Sequence, residues 1–261
     1  MSATARVVHL TSRSNALLVE LRRLARHPGD YRKNGRLMLE GEHLCRAWAE
    51  RGPANASHAL IADAAWQAGR HVELAHRADT IVVVAESALA DASTLDTPAP
   101  IAFIVATPST PAIDAQAATV VLDRIQDAGN VGSILRSASA FGFGQVIALK
   151  GTAALWSAKV LRAGMGAHLG LRLIEGIDDL SREALTVPLI GSSSHASDVL
   201  GAAALPWPHA WVFGNEGEGV ADLLLNRCAT TLRIPQAHGE ESLNVAVAAG
   251  ICLYQSARGR A

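Results

Sequence analysis

Two polar side chains in the stretch DAGNVGSILR, Asp127 to Arg136, sit off the apolar face of what reads as a helix. Val131, Ile134, Leu135 and Ala138 fall at i, i+3, i+4 and i+7, the stripe that packs on a sheet. Asn130 and Arg136 are separated by about 600° of helix, so roughly 120° lies between them on the wheel and both avoid that stripe. Asn130 stands where an N-cap belongs, and capping accounts for it as well as ligand binding does. Arg136 could be an ordinary solvated arginine. That is the ordinary reading of such a residue, and only its place off the stripe together with Asn130 makes it harder to dismiss.

A second chemical stretch is WVFGNEGEGV, Trp211 to Val220. An apolar strand running into three glycines gives a loop whose backbone can approach a ligand closely. It lacks the G-K-[ST] and G-x-G-x-x-G spacings of phosphate cradles, and Glu216 and Glu218 would repel phosphate. A ligand with a positive or hydrogen-bond-donating group suits it better. The third stretch is LRIPQAHGEESLNVAVAAGICLYQ, Leu232 to Gln255, where a strand ends at Ile234-Pro235 and Ser242 opens an apolar helix. Ser242 could cap that helix, which leaves Asn244 in the first turn without an obvious structural need. The helix is apolar on nearly every face, so it must be covered on both sides, within its domain or by a second copy. Other chemistries find no support: GSSSHASD lacks the G-x-S-x-G elbow of a hydrolase, and HVE at His71 lacks the P-C-x-x-C partner of a deaminase.

In open α/β sheets ligands bind beyond the carboxyl ends of strands, so the elements feeding these loops matter most. The strands VVLD, AWVFG and LRIP precede them, and QVIAL, HLGLRL and VPLIGS complete the set, with helical patterns between most of them. Strands alternating with helices imply a mostly parallel sheet. Upstream, NALLVELRRLARHP places Leu17, Leu21 and Leu24 on one side of a helix and Arg22, Arg23 and Arg26 on another. After it RLMLEG, HALIA, TIVVVA and PIAFIVA read as strands, with EHLCRAWAER and ESALADAS as helices. The segment 107–118, with two prolines and no apolar period, reads as a linker between a domain over 1–106 and another over 119–261. No period of 20 to 50 residues suggests a solenoid.

The 261 residues, 49% hydrophobic and only 4% aromatic, supply a core of small aliphatic side chains, as α/β folds often have. No apolar run approaches the ~18 residues of a membrane span and no h-region opens the chain, so a soluble cytoplasmic protein is expected. Cys45, Cys228 and Cys252 are odd in number and far apart, which supports neither disulfides nor a zinc site; no metal is expected. The net charge is -1, yet Arg6, Arg13, Arg22, Arg23, Arg26, Arg32, Lys33 and Arg36 outweigh Glu20 and Asp30 before position 37. Such asymmetry suits a polyanion-binding end or a solvated basic helix face.

Taken together, DAGNVGSILR, FGNEGEGV and IPQAHGEESLNVAVAAG resemble, in order and spacing, the three motifs of the SpoU/TrmH family of RNA 2′-O-ribose methyltransferases. WSAKVLRAGMGAHLGL resembles the family's connecting segment, and the early region from Ser12 to Trp48 more loosely resembles its N-terminal RNA-binding domain, a fold related to some ribosomal proteins. The resemblance implies a parallel-sheet catalytic domain with a trefoil knot, working as a homodimer on RNA, ribosomal RNA ahead of transfer RNA. S-adenosylmethionine would be held at Gly214, Ile234 and Leu243, beside Phe213 and Ser192. The family's functional residues fall on Asn130, Arg136, Glu216, Ser242 and Asn244. Arg13, Arg22, Arg23, Arg32 and Lys33 would grip RNA phosphates. The family proposal makes the arginine a general base, but a guanidinium with a pKa above ~12 stays protonated, so Arg136 is expected to position and polarise. The competing expectation is a non-catalytic RNA-binding assembly factor.

Overall fold

The computed structural model describes residues 5–93, 95–178, 180, 185–202, 204–237 and 242–259. The chain forms two compact units: Met1–Ser109 with Trp156–Leu169, and Thr110–Leu155 with Gly170–Ala261.

The first unit contains β1 (Arg6–Leu10), α1 (Ala16–Arg26), α2 (Tyr31–Asn34), β2 (Arg36–Glu40), α3 (Glu42–Arg51), β3 (Ala56–Ala62), α4 (Asp63–Gln67), α5 (Val72–Ala75), β4 (Ala78–Val84), α6 (Glu86–Ala92) and β5 (Ile101–Ala106). Its sheet runs β1-β4-β3-β5-β2. The pairs β1/β4 and β3/β4 are parallel, while β5 is antiparallel to both neighbours. Asn15 starts α1 by accepting from the Leu17 amide at 2.9 Å. Leu18, Leu21 and Leu24 bury its inner face, Leu18 taking the place expected for Leu17. Full burial of three leucines contributes about 1.5–3 kcal/mol each. The returning segment adds α8 (Ala158–Gly164), started by Ser157, whose hydroxyl accepts from the Val160 amide at 3.4 Å. Leu161 and Leu169 there share a small apolar pocket with Leu39, Leu44 and Trp48. The sequence-based domain boundary at 119 kept this segment with the second half of the chain.

The second unit holds β6 (Thr119–Leu122), α7 (Ala128–Ala140), β7 (Gln145–Leu149), β8 (Arg172–Ile177), β9 (Leu189–Ser192), β10 (Asp198–Val199), β11 (Ala210–Phe213), α9 (Asp222–Leu225), β12 (Thr230–Arg233) and α10 (Val245–Arg258). Its sheet, β10-β12-β9-β11-β6-β7-β8, pairs in parallel throughout. Val212, Val121, Ile147 and Ile174 face one another across four adjacent strands and are buried in one layer. The alternate residues Trp211, Val120, Val146 and Leu173 are buried too, so these strands read as continuous apolar runs instead of alternating ones. HLGLRL, expected as one strand, divides into a 3-10 turn at Ala167–Gly170 and the strand β8.

The second half of the expected linker is held. Wholly buried Gln145 accepts from the Asp114 amide at 2.8 Å and donates to the Asp114 carbonyl at 3.1 Å and to Thr119 Oγ1 at 2.9 Å. Helix α10 is fixed from below: Trp211 Nε1 donates to Ser256 Oγ at 2.9 Å, tying the helix to β11. Along the same helix Gly250, with Ser137 Oγ 3.7 Å from where a Cβ would stand, lets α10 lie close on α7.

Candidate functional site

The order of strands reverses between β6 and β11: the chain leaves β6 toward β7 and β8, then returns to build β9 and β11 on the other side. Loops that follow two such strands diverge and leave a crevice at their carboxyl ends. The loop after β6 carries Asp123 to Asp127, and the loop after β11 carries Gly214 to Val220.

Glu216 joins them. Its carboxylate accepts from Asn130 Nδ2 at 3.0 Å and from the backbone amides of Asp127 at 3.3 Å and Gln126 at 3.4 Å. Burial acts to raise its pKa, but the N–H donors, led by Asn130, outweigh it and the pKa lies below the usual 4.5. A carboxylate so held is a fastener and a poor proton acceptor.

The third motif closes the chain of contacts. Asn244 Nδ2 donates to Asn130 Oδ1 at 3.0 Å, and Asn244 Oδ1 accepts from the amides of Ala246 at 2.9 Å and Val247 at 3.3 Å. Asn244 is therefore the N-cap of α10, a role expected of Ser242, because the helix begins at Val245. Likewise α7 is capped by Asp127, which accepts from the Asn130 amide at 2.7 Å, and the expectation of a cap at Asn130 is corrected. Placed inside the first turn, the Asn130 side chain is free of capping and available to bridge Glu216 and Asn244. The cap fixes which end of each amide points where: α10 takes the Asn244 oxygen, so its nitrogen must face Asn130, and Asn130's nitrogen must face Glu216.

Beside this chain lies a cleft of about 600 Å³ lined by Ser192, Phe213, Gly214, Glu216, Ile234, Ser242, Leu243 and Asn244, with Glu218, Asp222 and His195 among its other walls. All five residues expected to bind the donor line it. Among the described residues its lining contains no lysine or arginine. Gly214 cannot be replaced, since a Cβ there would lie 2.1 Å from the backbone of Gly219 and Val220.

Arg136 stands apart: it is exposed on α7 with no partner among the described residues, and it is not in the cleft lining. Of the expected RNA-binding set, Arg13 pairs with Asp91 at 3.7 Å and Arg23 with Asp30 at 2.5 Å, while Arg22 donates to the Arg13 carbonyl at 2.7 Å. Arg32 lies 5.2 Å over the ring of Tyr31, and Lys33 is exposed. Sequence reasoning missed Asp123, Arg124 and Asn215. Buried Asp123 accepts from the Ala221 amide at 2.7 Å, and Asn215 closes the glycine-rich turn by accepting from Gly217 at 2.9 Å and donating to the Arg124 carbonyl at 2.9 Å. A charged pair directly ending an apolar strand, Asp123-Arg124, was the available signal.

Comparison with known proteins agrees with this architecture. The model of the SpoU rRNA Methylase family matches residues 117–254. An uncharacterised tRNA/rRNA methyltransferase of Synechocystis sp. is 31% identical over 98% of this chain and 95% of its own length. The 23S rRNA (guanosine-2'-O-)-methyltransferase RlmB of Vibrio parahaemolyticus is 35% identical over 54% of this chain and 59% of its own length, so the match spans little more than half of that relative. Among solved structures, an AdoMet-bound rRNA methyltransferase from Sinorhizobium meliloti superposes with a TM-score of 0.82 at 26% identity, covering 97% of this chain and 98% of that one. The chain belongs to the SpoU rRNA Methylase family.

Proposed function

We propose that this protein transfers a methyl group from S-adenosylmethionine to a ribose 2′-hydroxyl of structured RNA, with 23S ribosomal RNA as the target. The observation that carries the reading is the hydrogen-bonded chain Glu216, Asn130, Asn244, which draws three family motifs together at the rim of one cleft. The cleft fits the donor: its volume lies within the ~300–1,000 Å³ of small-ligand sites, and its carboxylates with no lysine or arginine suit a sulfonium and an ammonium. When bound, that donor supplies an electrophilic methyl group. Phe213, Gly214, Ile234, Leu243 and Ser192 would hold it.

The remaining work falls to the chain's own side chains. Arg136, with no internal partner among the described residues, can hold the phosphate beside the target ribose through two parallel N–H donors and lower the pKa of the 2′-hydroxyl. A guanidinium does not take the proton, and Glu216 has its oxygens engaged by three N–H groups, so the proton passes to water. Asn130 and Asn244 each retain one side-chain N–H beyond those used between motifs, and these orient the substrate beside Ser242.

The unit around α1 and α2 is the RNA-gripping part, with Arg13, Arg22, Arg23, Arg32 and Lys33 along it. Val247, Ile251 and Tyr254, exposed at i, i+4 and i+7 on α10, support a homodimer through the catalytic unit. The strand order β12-β9-β11 and membership of the family support a trefoil knot in this unit. Incubation with methyl-labelled S-adenosylmethionine and fractionated total RNA tests the reading. Label enters ribosomal RNA and is lost with Arg136→Ala, and Arg136→Lys also fails to restore it because an ammonium cannot make the bidentate contact. Labelled transfer RNA would shift the target, and tight RNA binding without any transfer would make the protein an assembly factor.

A further inference from the structure

The wall of the cleft from Gly214 to Val220 is a glycine-rich turn closed on itself by paired Asn215 and Gly219 backbone hydrogen bonds of 3.0 and 2.9 Å, so the placing of the turn as a whole depends on its anchors to the rest of the unit, Glu216 among them. Its base is tied where Ala221 donates to Asp123. Its tip is tied by Arg124. That guanidinium donates from Nε to Asp123 Oδ1 at 3.0 Å, from Nη2 to Asp123 Oδ2 at 3.3 Å, and from Nη1 to Glu218 Oε2 at 2.6 Å. The residue does so from a backbone φ of 56°, a left-handed conformation that side-chain-bearing residues rarely adopt. Its own carbonyl accepts from Asn215, at the start of the turn. Strain of this kind persists where surrounding contacts over-determine it, and here they converge on one loop.

We propose that Arg124 is a positioning residue for the donor-binding wall, acting as an ionic latch between the end of β6 and the tip of the glycine-rich loop. Its inner half rests on the Asp123 side chain, 5% exposed, and its outer half on Glu218, 72% exposed. The inner pair is shielded and holds the guanidinium in place. The outer pair faces water and is screened by salt, so the set of the wall, and with it donor affinity, depends on ionic strength. The latch acts two residues from Glu216 and therefore also steadies the carboxylate that joins the motifs. This inference rests on the reading of the cleft as a donor site.

Two measurements on the full chain test it. The first is the affinity for S-adenosylhomocysteine by calorimetry between about 50 and about 500 mM salt, a range over which the screening length falls severalfold. That probe carries no net charge, so direct attraction to the cleft carboxylates does not produce the salt effect. Wild-type protein binds more weakly as salt rises. Arg124→Gly, which removes the guanidinium and relieves the backbone, binds about 1.4- to 5-fold more weakly at low salt and shows a flat salt response. Unchanged affinity in Arg124→Gly, or a flat response in the wild type, overturns the latch. The second is amide exchange without ligand: the Gly219 and Ala221 amides exchange faster in Arg124→Gly, and equal rates overturn the latch. Wild-type protein that binds no S-adenosylhomocysteine refutes the donor reading instead, while the exchange rates still decide whether Arg124 holds the loop.

Discussion

Asn244→Asp separates the two jobs that Asn244 performs. The side-chain oxygen caps α10 through the amides of Ala246 and Val247, and the side-chain nitrogen donates to Asn130. Aspartate caps as well as asparagine and adds a charge at a helix N-terminus worth about 0.3–1 kcal/mol, which offsets most of the stability lost with the bond to Asn130 and keeps the variant well above Asn244→Ala. The donor is lost, and a carboxylate oxygen faces Asn130 Oδ1. Rotating Asn130 does not help, because its oxygen would then meet Glu216. The bond is open to water, so its loss costs about 0.5–1.5 kcal/mol, and with about 1.4 kcal/mol per factor of ten, methyl transfer falls roughly 2- to 12-fold. Protonating the new carboxylate restores an O–H donor, so the deficit relative to wild type shrinks as pH falls toward about 4. Asn244→Ala is the control: it loses the cap, about 1 kcal/mol of stability, along with activity. Initial rates of methyl transfer and thermal unfolding of both variants decide the matter. Wild-type turnover in Asn244→Asp, or a stability loss matching Asn244→Ala, refutes the oriented chain of amides.

Gly214→Ala places a methyl group 2.1 Å from the backbone of Gly219 and Val220, and a backbone clash of this size should cost more than about 3 kcal/mol, read as a lowered urea midpoint or failure to fold. Because the pKa of Glu216 in the fold lies below its usual 4.5, its contribution to stability is complete above that value and is lost as pH falls through the folded-state pKa. Glu216→Gln removes that dependence, so the urea midpoint of the variant changes less between about pH 5 and pH 3 than that of the wild type. Replacing Arg22 and Lys33 together by alanine weakens RNA binding across sequences and lowers the salt slope by about 0.9 for each phosphate no longer neutralised; an unchanged slope excludes those residues from the RNA interface.

What could be read from the sequence was whatever depended on neighbours along the chain. The helices Glu42–Arg51 and Glu86–Ala92 and the strands β2 to β5 followed from apolar period and length. The placing of Ser192, Phe213, Gly214, Ile234 and Leu243 at a donor site came instead from the family resemblance; the first four lie at strand ends and Leu243 just ahead of α10, and all five line the cleft. The helix caps were each misplaced by two or three residues, since Asp127 and Asn130, like Ser242 and Asn244, are equally able to cap and only the first helical turn distinguishes them. Short elements such as α4, α5 and α9, of four or five residues, carry too little period to see. Arg124 was invisible for another reason: its partner Glu218 lies 94 residues away, and only the adjacency of β6 and β11 brings the two together. Arg136 shows the opposite case, found by family resemblance and set by the fold on an open face with no partner among the described residues to reveal its use.

The central claim concerns the position of the transferred methyl group. Ribosomal RNA methylated by this protein with labelled donor can be hydrolysed in alkali, which cleaves every linkage whose 2′-hydroxyl is free. Methylation of the ribose oxygen leaves the label in an alkali-resistant dinucleotide, and Arg136→Ala leaves no label there. Label recovered in mononucleotides would place the methyl group on a base and contradict the account.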